Sequence, residues 1–160
     1  MWICEKDRIK DHAIQFFSSL YSSDHREFRP YPHPNCFHVI DEALFFTLQN
    51  LVGDDEIKTN IFGMHLLKAP GPDDLHTIFY HIQWTTMGPS FCKLVKDVFN
   101  NKHISGDLNS TLLVLILKLE NPASLKMSLH ISLCNVAYKT ITKVIVNRQL
   151  TILPQLDEPH

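Results

Sequence analysis

Glycine is scarce in this chain of 160 residues: there are five, against nine prolines. Phosphate cradles need clustered glycines close to a helix start. Neither a P-loop nor a dinucleotide fingerprint can therefore be assembled here. Cysteine is also sparse, with Cys4, Cys36, Cys92 and Cys134 far apart and no Cys-x-x-Cys pair. Such spacing implies free thiols in a reducing compartment and excludes a disulfide framework. No Gly-x-Ser-x-Gly elbow occurs, and no cysteine has a protease context. Long hydrophobic runs are missing too. The longest aliphatic stretch, Leu112 to Leu117, spans about 20 Å as a strand and about 9 Å as a helix, too short to cross a bilayer. The start, Met1-Trp2-Ile3-Cys4, turns charged at Glu5-Lys6-Asp7-Arg8 and forms no signal-peptide core, so an intracellular protein without a membrane segment is expected. No sign of charge dominates, with 15 basic against 17 acidic residues. Free-standing nucleic-acid binders of this size are more often clearly basic.

What remains is globular composition, 44% apolar and 20% charged, in one domain or a piece of a larger one. The charges are segregated. Residues 1–60 hold ten acids and six bases, whereas residues 118–160 hold five bases and three acids. Those five bases, Lys118, Lys126, Lys139, Lys143 and Arg148, would meet a polyanion first. The plain alternative is a solvated helix face that happens to carry lysines.

Periodicity orders the chain as helices first and strands late. Apolar residues at Ile9, Ala13, Phe16, Phe17 and Leu20 predict a helix over 7–21. Residues 22–38 read as a loop punctuated by Pro30, Pro32 and Pro34. A helix over 41–51 is expected with Asp41 as its N-cap, then a third from Asp54 to Phe62 with acids in its first turn. Lys68-Ala69-Pro70-Gly71-Pro72-Asp73 is a turn by chemistry. From Asp73 a helix is expected to about Thr86, where Gly88-Pro89 stops it and opens another that ends near Asn100-Asn101. Thr111–Leu119 and Leu129–Leu133 read as strands, separated by a turn at Asn121-Pro122. A last helix is expected from Asn135 to Leu153, ended by Pro154. A sheet of two strands is marginal by itself, so exposed apolar surface at Leu112, Val114 and Ile116 is expected, and with it a partly molten, aggregation-prone product.

Few residues carry obvious chemistry. His25, His33, Cys36 and His38 share one loop, but irregular spacing favours surface histidines over a zinc site. His76 and His81 are five apart, on different helix faces, and make poor co-ligands. Asp54-Asp55, Asp73-Asp74 and Asp157-Glu158 are neighbours that suit helix capping better than catalysis. Cys92 and Cys134 are expected on apolar helix positions as inert thiols. The strand candidates carry no acids that could grip two metal ions.

Taken in order, several blocks resemble the front of a reverse transcriptase from plant LINE-type non-LTR retrotransposons. They are Lys68-Ala69-Pro70-Gly71-Pro72-Asp73, Phe79-Tyr80 with Trp84, Val98-Phe99-Asn100, and Leu115-Ile116-x-Lys118. There follow Asn121-Pro122, Leu125-Lys126, Ile131-Ser132-Leu133-Cys134-Asn135, Tyr138-Lys139, Lys143-Val144 and Asn147-Arg148. The resemblance spans about residues 40–160. It implies an incomplete fingers and early-palm fold over 39–160, preceded over 1–38 by a lead-in helix and a Pro-rich loop. The expected class is α+β, mostly helical, with about two short strands.

The resemblance further implies a motif turn at Lys68, Pro70, Gly71, Pro72 and Asp73. It implies nucleic-acid or nucleotide contacts at Lys118, Lys126, Lys139, Lys143 and Arg148, with RNA or an RNA/DNA hybrid as partner. Four positions depart from the family pattern. Asp74 replaces a glycine, and if that position needs φ > 0 the substitution costs about 1 kcal/mol. Leu117 replaces a proline and His130 another. Leu129 replaces an arginine expected to contact the incoming triphosphate, which leucine cannot do. The family's magnesium-binding aspartates lie in segments beyond those matched, so a catalytically incomplete fragment is expected, with no metal site or cofactor of its own and no small-molecule substrate. A second reading is a small RNA- or protein-binding module derived from such an element.

Overall fold

The structure, a computed structural model, describes residues 5–22, 42–100, 104–120 and 124–156. It is α+β and mostly helical, with one two-stranded antiparallel sheet. The chain forms two compact units, Met1–Cys36 with Leu117–Ser128, and Phe37–Ile116 with Leu129–His160. The His/Cys loop, the Asp41 cap and the Asn121-Pro122 turn fall outside the described residues. No described helix is long and apolar enough to cross a membrane.

In the first unit the expected amphipathic helix is α1 (Lys6–Tyr21). Phe17 is its buried residue, packed edge-on against Phe16 at 5.1 Å and stacked with Tyr21 at 6.3 Å. Ile9, Ile14 and Leu20 remain exposed. A single 3-10 turn, Leu125–Met127, is capped by the Ser124 hydroxyl, which accepts from the Lys126 N–H at 3.3 Å.

The second unit holds α2 (Glu42–Gln49), α3 (Asp54–Phe62), α4 (Thr77–Ile82), α5 (Trp84–Phe99), α6 (Val136–Leu150) and α7 (Leu153–Leu156). Helix α3 starts after Gly53 with Asp54, Asp55 and Glu56 in its first turn, which suits the positive end of the helix dipole. It packs against α5 and α6. Ile57 and Ile61 of α3, Val95 of α5, and Val136 and Val144 of α6 are almost wholly shielded from water. Tyr80 and Phe91 extend this core, their rings 5.0 Å apart. Burying each such side chain contributes about 1.5–3 kcal/mol, so this cluster is the main stabilising feature of the unit.

Two expected boundaries are corrected. The helix foreseen over 73–86 starts only at Thr77, because Asp73 and Asp74 are used in a turn. The break foreseen at Gly88-Pro89 lies instead at Gln83, and α5 runs unbroken through both residues. Gly88 is there for packing. A Cβ on it would stand 3.0–3.2 Å from the Trp84 indole, which folds back over the helix. Pro154, expected to end the last helix, instead lies inside the short α7, and α6 ends at Leu150. A proline is tolerated in a first helical turn, where N–H groups have no intrahelical partner.

Strands β1 (Thr111–Leu117) and β2 (Ser128–Cys134) pair antiparallel, with the Lys118 N–H donating to the Met127 carbonyl at 3.1 Å. At the other end Thr111 Oγ1 lies 3.5 Å from Cys134 Sγ. Cys134 therefore ends a strand, not a helix, as a half-buried thiol. Leu112 and Ile116 are exposed as expected, whereas Val114 is half-buried; Leu129 and Ile131 of β2 are exposed as well.

Candidate nucleic-acid interface

The motif turn and the β2–α6 junction are more than 60 residues apart in sequence but form one knot. Pro72, with its fixed φ, occupies the second position of a turn closed by the Asp74 N–H donating to the Gly71 carbonyl at 3.1 Å. Asp73 Oδ1 accepts from the Leu75 N–H at 3.3 Å. Asp74 takes φ 57°, the one non-glycine residue with positive φ among those described. The resembled pattern has glycine here, and Asp holds this left-handed backbone at some cost.

Gly71 is seated directly on Asn135. A Cβ on Gly71 would come within 2.4 Å of the Asn135 N and Oδ1 and 2.5 Å of the Cys134 carbonyl carbon. Its φ is negative, so glycine is required by closeness of approach rather than by backbone conformation. The buried Asn135 side chain then binds both ways. Its Oδ1 accepts from the Asp73 N–H at 3.4 Å, and its Nδ2 donates to the Asp107 carbonyl at 3.1 Å. Two of the quoted blocks, 68–73 and 131–135, are thus physically interlocked.

Beside the knot lies a cavity of about 600 Å³ whose lining includes Gly63, His65, Lys68, Lys139, Thr142 and Lys143. Lys139 Nζ donates to the Ala69 carbonyl at 2.6 Å. Lys143 Nζ donates to the Asn60 carbonyl at 3.2 Å, at the negative end of α3. Gly63 leaves room for that ammonium, since a Cβ there would sit 3.0 Å from Lys143 Nζ. Burial holds the Lys139 ammonium below its ordinary pKa, and the neighbouring charge of Lys68 lowers it further, partly offset by Cys134 and Asp73. His65 Nδ1 accepts from the Leu67 N–H at 3.3 Å, which leaves Nε2 as the donor of the neutral ring.

The other expected contacts do not line this groove. Arg148 spends four of its five N–H donors inside the fold. Its Nε and Nη2 grip both Glu56 oxygens at 2.8 and 2.7 Å, and Nη1 donates to the carbonyls of Leu48 and Asn50 at 3.1 and 2.6 Å. Glu56 accordingly holds the guanidinium above its ordinary pKa. Asn147, next to it, donates to Asn60 Oδ1 at 2.7 Å. Arg148 and Asn147 thus lock α6 to α3 and the end of α2, a role that only the folded chain reveals. Lys118 and Lys126 belong to the first unit and are exposed. Lys68, placed in the turn by sequence, proves to be a groove residue.

The remaining polar features are structural. Lys96 pairs with Asp54 at 2.7 Å and holds that carboxyl below its usual range, helped by the Cys92 thiol. Burial, with Asp54, pushes Cys92 up to about 11, so the thiol is inert. Burial likewise pushes Tyr80 up to about 12, with Asp73 adding to it. His76 Nδ1 lies 3.1 Å from the Lys68 carbonyl within its own loop, and His81 Nε2 of α4 lies 3.1 Å from the Ile61 carbonyl of α3, so both rings serve the fold. Among the described residues no three His, Cys, Asp or Glu side chains stand close enough to hold a metal ion.

No family model matches the chain. The transposon TX1 uncharacterized 149 kDa protein of Xenopus laevis is 25% identical to it over 161 residues, covering 97% of this chain and 12% of that protein. The chain thus spans about an eighth of that relative's length, and the likeness relates it to a transposon-encoded protein.

Proposed function

We propose that these residues are the fingers and opening palm of a retrotransposon-derived reverse transcriptase of the plant LINE type, a part that holds nucleic acid. The observation that carries this reading is the seating of Gly71 on Asn135. It joins two blocks of the resembled pattern into one site beside a lysine-lined groove. A transposon-encoded relative matching nearly the whole chain supports it. The partner is RNA or an RNA/DNA hybrid, bound through lysines.

The polymerases of that family work with Mg²⁺ held by convergent aspartates. The described residues offer no such cluster and so do not fit that ion pair. The role proposed is binding. Filter binding of RNA over a salt series tests it, because phosphate contacts release counterions and weaken steeply with salt. Affinity at low salt no better than a carrier protein's sinks the reading. Primer extension with dNTPs and Mg²⁺ or Mn²⁺ is expected to stay at the level of a heat-killed control.

A second reading, a small RNA- or protein-binding module descended from such an element, is favoured by the closed core around Ile57, Ile61, Val95 and Val144. A cooperative thermal melt of a soluble monomer supports it over a partly molten fragment.

A further inference from the structure

We infer that the groove between residues 63–68 and α6 is a phosphodiester-backbone site gripped by Lys68, Lys139 and Lys143, and that it reads no base sequence. This rests on the proposed nucleic-acid role and narrows it. It adds Lys68 to the contacts expected from sequence and removes Arg148.

The geometry carries the assignment. Lys139 and Lys143 each spend one of three ammonium donors on a backbone carbonyl, which fixes their position and leaves the other donors for a ligand. Among the described residues the Lys68 ammonium has no intramolecular partner, yet its charge acts on Lys139. Three cations around one cavity, with Asp73 as the acid acting on Lys139, form a positive concavity that an anion relieves. The His65 Nε2–H adds a donor at the rim, whereas the single Thr142 O–H is spent on the Tyr138 and Lys139 carbonyls.

Base edges are read bidentately by Arg, Asn and Gln, lysine reaches guanine among the bases, and large aromatic rings stack on bases. The groove lining holds no Arg, Asn, Gln, Phe, Tyr or Trp. Its lysines are point charges that suit phosphate oxygens, which carry no sequence information. A cavity of about 600 Å³ accommodates a short stretch of backbone. Arg148 is excluded because it does not line the groove and four of its five donors are taken by Glu56, Leu48 and Asn50.

The test is the salt dependence of binding to unstructured oligonucleotides. Three neutralised phosphates on a single strand give a slope of log K against log salt of about −2, a loss of roughly fifteen- to twentyfold between 50 and 200 mM. Lys68→Ala, whose side chain supports no internal bond, lowers the slope magnitude by about 0.7, as do Lys139→Ala and Lys143→Ala. Lys93→Ala, on the exposed face of α5, leaves it unchanged. Oligo-U, oligo-A and oligo-C are expected to bind within about threefold of one another. Retained binding with a wild-type slope in Lys68→Ala and Lys139→Ala overturns the groove while leaving the wider reading intact. So does a tenfold preference for one base. Absence of binding by the wild-type chain at 50 mM salt overturns both.

Discussion

The motif knot and the β-hairpin, both largely in the second unit, are built on opposite plans. Around Gly71 and Asn135 nearly every polar group has a named partner, and a single added carbon meets backbone atoms at 2.4 Å. Along β1 and β2 the side chains are aliphatic, and Leu112, Ile116 and Leu129 are close to half exposed. One region is specified by contacts that only one conformation satisfies. The other is specified by β-propensity and pairing, with its apolar groups left facing outward. Precision is thus concentrated beside the lysine groove, as the proposed binding role requires of groups that meet a ligand already in place.

Substitutions can break that contrast. The largest effect is expected at Gly71→Ala, where the methyl group must push backbone aside at the Cys134–Asn135 peptide; a loss of about 3 kcal/mol should appear in chemical denaturation. Arg148→Ala leaves Glu56 and two carbonyls without partners on α6 and is expected to cost about 2–3 kcal/mol by the same assay. If Arg148 were a nucleic-acid contact instead, the variant would lose affinity while keeping its stability. Asp74→Gly relieves the left-handed backbone at φ 57° and should gain about 1 kcal/mol, read as a higher denaturation midpoint. The smallest effect is expected in the hairpin. Ile116→Lys, at a half-exposed strand position, should shift stability by no more than about 0.5 kcal/mol while raising solubility, measured by light scattering. A loss as large as that of Gly71→Ala would show that the hairpin face is covered, and the contrast would fail.

Local physics made much of this legible in advance. Acids at the start of α3, aliphatic β1 and apolar spacing along α1 and α5 each declare their element. Asp74, where the resembled pattern carries glycine, takes a left-handed backbone. What sequence could not deliver was long-range. Gly88 looked like a helix breaker because its packing partner, the Trp84 indole, is invisible without the fold. Arg148 looked like a free cation because its anchor, Glu56, lies 92 residues away. Lys68 looked like part of a turn because the facing lysines of α6 approach only after folding. Each miss is a side chain whose role is decided by a neighbour distant in sequence.

The groove assignment is tested most directly by amide chemical-shift mapping of the isotope-labelled chain titrated with a short oligonucleotide at low salt. The account predicts that the perturbed amides cluster at residues 63–68 and 139–146, and that the amides around Glu56 and Arg148 hold still. Perturbations centred on Arg148, or none at saturating oligonucleotide, would contradict it.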